Sequence, residues 1–277
     1  MRRAKRRGWI VGVIAIIASV VIFLVPFAFI VLTASKTVAD SSELAFSLPK
    51  EFVLLQNIKT VLTTSDAVVL RAFINSTTLT VTSVIIMVVL AAMTGYILDR
   101  RKSRWNAVAN FFVLAGLIVP PAVVPTIWVM QALGVFKTMP GMILIEVTFG
   151  LSFSILLFRS FVSSIPRELD EAAIVDGAGP LRLFFSVILP LLRPVVITVV
   201  VVQAVMVFND FQNPLYFLPG NEGVTVQLTL YNFQSQSLNQ WNLLFTDILL
   251  ITIPPLVMYM FFNRQIVAGM TSGAVKG

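Results

Sequence analysis

An all-α membrane protein with six transmembrane helices, and both termini on the cytoplasmic side, is the fold class this sequence predicts. Three observations carry the expectation. Hydrophobic residues make up 57% of the 277 residues, and the mean hydropathy is +0.92; a soluble domain is roughly 45–50% apolar. Only 12% of the residues are charged, against about 25% in a soluble domain. The apolar residues also gather into stretches long enough to cross a bilayer, which takes about 20 residues with a lower limit near 17.

Six stretches qualify: 9–33, 72–98, 105–133, 142–158, 195–217 and 243–262. The first follows a basic start, Arg2 to Arg7, as a signal peptide would. Its apolar core is too long for one, so an uncleaved first span is expected. Pro120, Pro121 and Pro125 are expected to interrupt the third span, and Pro254 and Pro255 the sixth. Proline frees backbone groups that need a partner or a wet cavity in lipid. Such a break serves either as a kink for packing or as a bend lining a cavity.

Basic residues set the orientation, because they gather at cytoplasmic span ends. With the amino terminus inside, the inner segments hold Arg2, Arg3, Lys5, Arg6, Arg7, Arg100, Arg101, Lys102, Arg104, Arg159, Arg167, Arg182, Arg193, Arg264 and Lys276. The outer ones hold only Lys36, Lys50, Lys59, Arg71 and Lys137. The net charge of +7 is thereby explained by topology, and nucleic acid is not an expected partner. The outer segments 34–71 and 218–242 are either passive connectors or a docking surface for an external partner. No repeat and no soluble domain is expected, so 1–277 reads as a single membrane domain.

The chain has no Cys and no His. Disulfides are excluded, and the commonest zinc ligand and general base are missing. No GxxxxGK[ST] occurs, so no ATP-binding P-loop is present. Neither catalytic residues, a metal site nor a resident cofactor is expected.

One polar segment, about 159–194, stands between the fourth and fifth spans. Pro166 suits a first helical turn. Glu168, Asp170 and Glu171 follow near the positive end of the helix dipole. Gly177 suits a helix stop, and Gly179–Pro180 allows a second short helix through Phe184 and Phe185. Leu169, Ala172 and Ala173 share a flat apolar face by their spacing, with Glu171 beside it. The segment reads either as a loop packed on its own bundle or as a docking site for another protein.

The spacing Glu171-Ala172-Ala173, Gly177, Val187, Leu189-Pro190 resembles the signature loop of ABC importer permeases, with Val187 where that signature usually has Ile. The carboxyl end RQIVAGMTSGAVKG and the FINS stretch, Phe73 to Ser76, resemble those of carbohydrate-uptake permeases of the maltose-transporter type. The resemblance implies that the loop is a coupling helix seated in a separate ATP-binding subunit. Leu169, Glu171, Ala172, Ala173, Asp176 and Gly177 would form the contact. Glu171 would pair with a basic residue there, and Gly177 would permit the sharp turn. The tail, about 263–277, would reach the ATPase subunits through Thr271, Ser272, Gly273 and Ala274. Implied partners are a second, different permease chain, two ATP-binding subunits, an extracytoplasmic sugar-binding protein and membrane lipid. ATP and magnesium would be held in the ATPase partner.

Gln203, Asn209, Asp210 and Asn213 bring amides and a carboxylate to the fifth span, among Phe208, Phe211 and Tyr216. Such groups can hydrogen-bond sugar hydroxyls; they equally suit bonds between helices or a wet span end. Glu146 and Asp247 are expected near outer span ends, in solvent. The expected function is the permease subunit of an ATP-driven, binding-protein-dependent importer of sugar, most simply an oligosaccharide. The alternative is an ion-gradient-driven carrier, which would need ionisable residues deep in its spans.

Overall fold

The computed structural model describes residues 2–101, 103–220, 222–236 and 240–272, with side chains outside 2–11, 65, 232–236 and 264–272. The described residues are helical and contain no strand. In chain order the helices are α1 (Arg2–Ala34), α2 (Val38–Ser41), α3 (Leu54–Arg100), α4 (Trp105–Ile118), α5 (Val123–Ala132), α6 (Met139–Val162), α7 (Glu168–Val175), α8 (Pro180–Arg182), a π-helical turn (Leu183–Ile188), α9 (Leu189–Leu191), α10 (Arg193–Phe208), α11 (Gln212–Phe217), α12 (Val226–Gln236) and α13 (Trp241–Ser272). Among the described residues, four helical stretches are long and apolar enough to cross a membrane: Gly12–Ala34, Asp66–Arg100, Met139–Val162 and Trp241–Asn263.

Two of the expected spans are broken, and only the third breaks at prolines. Pro120 and Pro121 do break the third into α4 and α5, each too short to cross alone. The fifth stops at Phe208 and resumes at Gln212. Pro254 and Pro255 do not interrupt the sixth: α13 runs through both. Each proline removes one N–H and crowds the carbonyl four residues back, and within a packed helix neighbouring groups can satisfy what is freed.

The described residues form two compact units, Met1–Arg71 with Val226–Ile253, and Ala72–Thr225 with Pro254–Gly277. In the first unit a polar network lies among buried apolar residues such as Val61, Val69 and Val226. Asn57 donates to the carbonyls of Ala34 and Lys36 at 2.8 and 2.9 Å, and Asn242 donates to Asn57 Oδ1 at 3.0 Å. Lys36 is fully buried, and its ammonium donates to Ala45 O at 2.8 Å and Ser47 Oγ at 2.9 Å. Asp247, expected in solvent, is 0% exposed and accepts from Thr229 Oγ1 at 2.8 Å. A buried polar group needs such partners.

The second unit packs α6 against α4 and α10. Small residues set the distances. A Cβ at Gly95 would lie 2.9 Å from the Arg159 backbone nitrogen, and one at Gly150 would lie 2.5 Å from Met87 Cε and 2.9 Å from Gln203 Oε1. Close approach through glycine is the usual device where lipid supplies no hydrophobic drive between helices. A core including Val88, Phe158, Phe184, Ile188 and Val199 runs through this unit to the polar segment.

Candidate functional site

Helix α7 is the expected polar helix, beginning at Glu168 after an uncapped Arg167. Glu168, Asp170 and Glu171 occupy its first turn, where the free N–H groups favour negative charge. It ends in a Schellman motif. Gly177 N donates to Ile174 O at 3.0 Å, and Ala178 N to Ala173 O at 2.9 Å. Gly177 has φ +78° with open space where a Cβ would stand. The glycine is thus required by the backbone turn and not by crowding, and a residue with a Cβ would cost about 1–2 kcal/mol there.

The two faces of α7 differ. Leu169, Glu171, Ala172, Val175 and Asp176 are exposed, with Val175 at 86%. Glu171 has no ion pair among the described residues. Ala173 departs from the expected face: it turns inward and packs on the core with Ala178. The outward face is therefore built on positions 169, 172 and 175–176. Val175 and Leu181 were not singled out from the sequence, although Val175 follows Leu169 and Ala172 at three-residue spacing. With Ile174 and Leu181 they leave an apolar surface on a loop rich in charge.

The inward face carries a residue that sequence reasoning placed only by its charge. Asp170 is 8% exposed. Its Oδ1 accepts from the Tyr96 hydroxyl, and its Oδ2 lies 3.2 Å from Arg100 Nε. That second contact is an ion pair lacking hydrogen-bond alignment, since neither atom finds a hydrogen-bond partner. The same guanidinium donates to Ile165 O at 2.8 Å and to Asp99 Oδ2 at 3.3 Å.

Beyond Gly179 the expected second helix runs from Pro180 to Leu191, with Phe184 and Phe185 in a π-helical turn at its centre. In a regular helix the Pro190 ring would press on the carbonyl four residues back, at Ser186. The wider π turn contains Ser186 and relieves that contact. Phe184 points into the core, and Phe185 stays half-exposed against it, ring centroids 5.1 Å apart. The segment from Pro180 to Leu191 meets α10 at 77°.

The four polar residues of the fifth span do not form one lining. Gln203 is 2% exposed, and its Nε2 donates to Ser154 Oγ at 3.0 Å and Gly150 O at 3.2 Å. It is committed to helix packing, the second of the two readings open for it, and not to a pathway. Asn209 is exposed and bonds Val205 O within its own helix at 2.9 Å. Asp210 sits in the break before α11 and caps it, accepting from Gln212 N at 2.9 Å and from Asn213 Nδ2 at 2.5 Å. Glu146 of α6, expected in solvent, is 6% exposed, and its side chain meets Asp210. Two acidic side chains meeting at a helix break make a polar point within an apolar bundle. In the tail, Thr271 and Ser272 end α13 but their side chains are not described, and Gly273 and Ala274 lie outside the described residues.

Residues 88–272 match the family model described as the binding-protein-dependent transport system inner membrane component. The chain is 28% identical, over the whole of both proteins, to the probable starch degradation products transport system permease of Thermoanaerobacterium thermosulfurigenes. It is 30% identical to the multiple sugar-binding transport system permease of Streptococcus mutans serotype c, covering 92% of this chain and 93% of that one. Its fold is similar to a chain of a bacterial ABC transporter involved in import of the acidic polysaccharide alginate. The TM-score is 0.82 at 21% identity, with 95% of this chain and 97% of that chain covered.

Proposed function

The chain belongs to the family of binding-protein-dependent transport system inner membrane components, a multi-pass membrane protein, and from that premise we propose that it is the permease subunit of an ATP-driven sugar importer. The two-faced helix α7 carries the reading. A helix bound inward through Asp170 and Ala173, yet presenting Leu169, Glu171, Ala172 and Val175 outward, suits a firm contact for a second protein. ATP-binding subunits take that contact and supply hydrolysis, with their own ATP and magnesium. Asp176 and Gly177 shape its far end, and the tail residues Thr271 to Ala274 add a second contact.

In this reading α4 with α5 forms the third crossing and α10 with α11 the fifth, giving six in all. The basic ends of α3 and α6, with Arg167 before α7, then face the cytoplasm with both termini. Helices α3 and α13 run through both compact units, so the chain is read as one membrane domain. A second permease completes the pathway, and a sugar-binding protein delivers cargo from outside. The sugar-related names of the relatives support an oligosaccharide cargo.

Closure of the ATPase subunits moves α7 and thereby tilts the bundle between inward- and outward-facing states. The chain itself makes no bond. Its work is to hold the outward face of α7 in register with the ATPase and to offer hydroxyl-binding groups along the path. Asp210, half-buried at the break of the fifth span, is the candidate for the latter role. Asp210→Ala should lower uptake while the complex still co-purifies; an equal loss of both would make Asp210 a structural cap only.

In proteoliposomes holding the assembled complex and its binding protein, uptake of a labelled oligosaccharide should stop when ATP is withdrawn. It should continue when an ionophore collapses ion gradients. Glu146 and Asp247, buried within helices, are groups an ion-coupled carrier would use; the opposite response to these two treatments would establish that mechanism.

A further inference from the structure

We propose that Asp170 is a positioning residue that clasps α7 to the end of α3, so that displacement of α7 pulls on the long helix. The inference rests on the coupling role of α7 given above. Tyr96 and Arg100 stand one turn apart on α3, at i and i+4, so both reach one carboxylate. Asp170 accepts from the Tyr96 hydroxyl with one oxygen and pairs with Arg100 at 3.2 Å with the other.

Arg100 is also the junction of three chain segments. It pairs with Asp170 on α7, donates to Ile165 O in the linker after α6 at 2.8 Å, and donates to Asp99 of α3 at 3.3 Å. Arg167, three residues before Asp170, donates to Asp99 O at 3.3 Å, a further tie between the same two elements. Both partners of the ion pair are largely buried, with side-chain exposures of 10% and 11%. Screening by salt and water is therefore weak, and breaking such a pair leaves an uncompensated charge.

Apolar packing does not make the clasp redundant. A cavity of about 450 Å³ lies between α3 and the polar segment, lined by Met93, Ile97, Ile174, Leu181 and Phe184 beside Tyr96 and Arg100. Apolar contact is incomplete there, and the ionic contact bridges the gap. The division along α7 follows: Glu171 and its exposed neighbours meet the partner, and Asp170, on the opposite side, passes the movement on.

The test uses the full transporter, purified through this chain and reconstituted with its binding protein. In Asp170→Asn, the ATPase subunits should co-purify and hydrolyse ATP without binding protein, while stimulation by binding protein and oligosaccharide uptake fall on the order of tenfold. Asp170→Glu, which keeps the charge and the acceptor oxygens, should retain most of both. Asp170→Asn with parental uptake and stimulation overturns the clasp. So does a loss of assembly in Asp170→Asn, since the residue then serves folding alone. Glu171→Lys separates the two readings: if it leaves assembly and transport intact, the coupling role of α7 itself fails, whatever Asp170 does.

Discussion

Charge reversal at Glu171 is expected to abolish transport while leaving the permease folded. Glu171 is exposed, one residue from the Asp170 clasp, and bonded to nothing charged among the described residues. Reversing a first-turn charge forfeits its favourable interaction with the helix N-terminus, about 0.3–1 kcal/mol on an exposed side chain, which is too little to unfold the chain. The partner's side is different. In the proposed contact Lys would face a basic residue of the ATP-binding subunit, and like charges set together cost several kcal/mol across an interface. Uptake by Glu171→Lys should therefore drop on the order of a hundredfold or more, with thermal stability of the isolated permease in nanodiscs lowered only slightly. Equal losses of stability and uptake would place Glu171 in the fold and not at a contact.

The second large effect is structural. Gly95→Val should prevent the second unit from packing. Gly95 stands inside α3, five residues before its carboxyl end at Arg100, and glycine within a helix costs about 0.5–1 kcal/mol relative to alanine. The chain bears that cost because a Cβ there would meet the Arg159 backbone nitrogen at 2.9 Å, Phe158 Cβ at 2.9 Å and Ile155 O at 3.2 Å. Two of these are backbone atoms of α6, which yield only if the whole helix moves. Overpacking of this kind costs about 1–3 kcal/mol, and more where backbone must shift. It would also separate the Arg159 end of α6 from α3, beside the Tyr96 and Arg100 clasp. Less permease extracted in folded form, and a lower melting temperature of what remains, are the expected results. Gly12 meets nothing within 4 Å, so Gly12→Val serves as the matched control and should show neither effect.

Much of the polar segment could be read before any coordinates. The first-turn carboxylates and Gly177 gave α7 both its ends, because capping and left-handed backbone leave marks in single residues. The long helices were readable from hydropathy alone. Side-chain direction was not. Asp170 and Glu171 are adjacent carboxylates in one helical turn, yet one is buried on Arg100 and the other faces solvent. Only the position of α3 decides between them, and that is tertiary information.

The same limit governed Gln203 and Glu146. An amide in an apolar helix suits a sugar or a neighbouring helix equally well; Ser154 and Gly150 on α6 took it. Glu146 and Asp247 were placed in solvent by their nearness to span ends, but helices packed beside those ends enclosed both. Lys36 likewise counted only as an outer charge, whereas the 45–47 backbone and hydroxyl fold over its ammonium. Proline signals were informative at Pro120 and Pro121 and misleading at Pro254 and Pro255, because a helix stops only when the freed carbonyls find no other support.

The central claim is that the outward face of α7 bears directly on an ATP-binding subunit. Val175, the most exposed apolar residue of that face, is the place to test it. A chain carrying Val175→Cys has no other thiol. In the assembled transporter in native vesicles, a short thiol-to-lysine crosslinker should join this chain to the ATP-binding subunit, and the yield should change as ATP is bound. A Val175→Cys thiol that is labelled by an impermeant reagent from the outer face, or that joins no neighbour in the intact complex, would contradict the account.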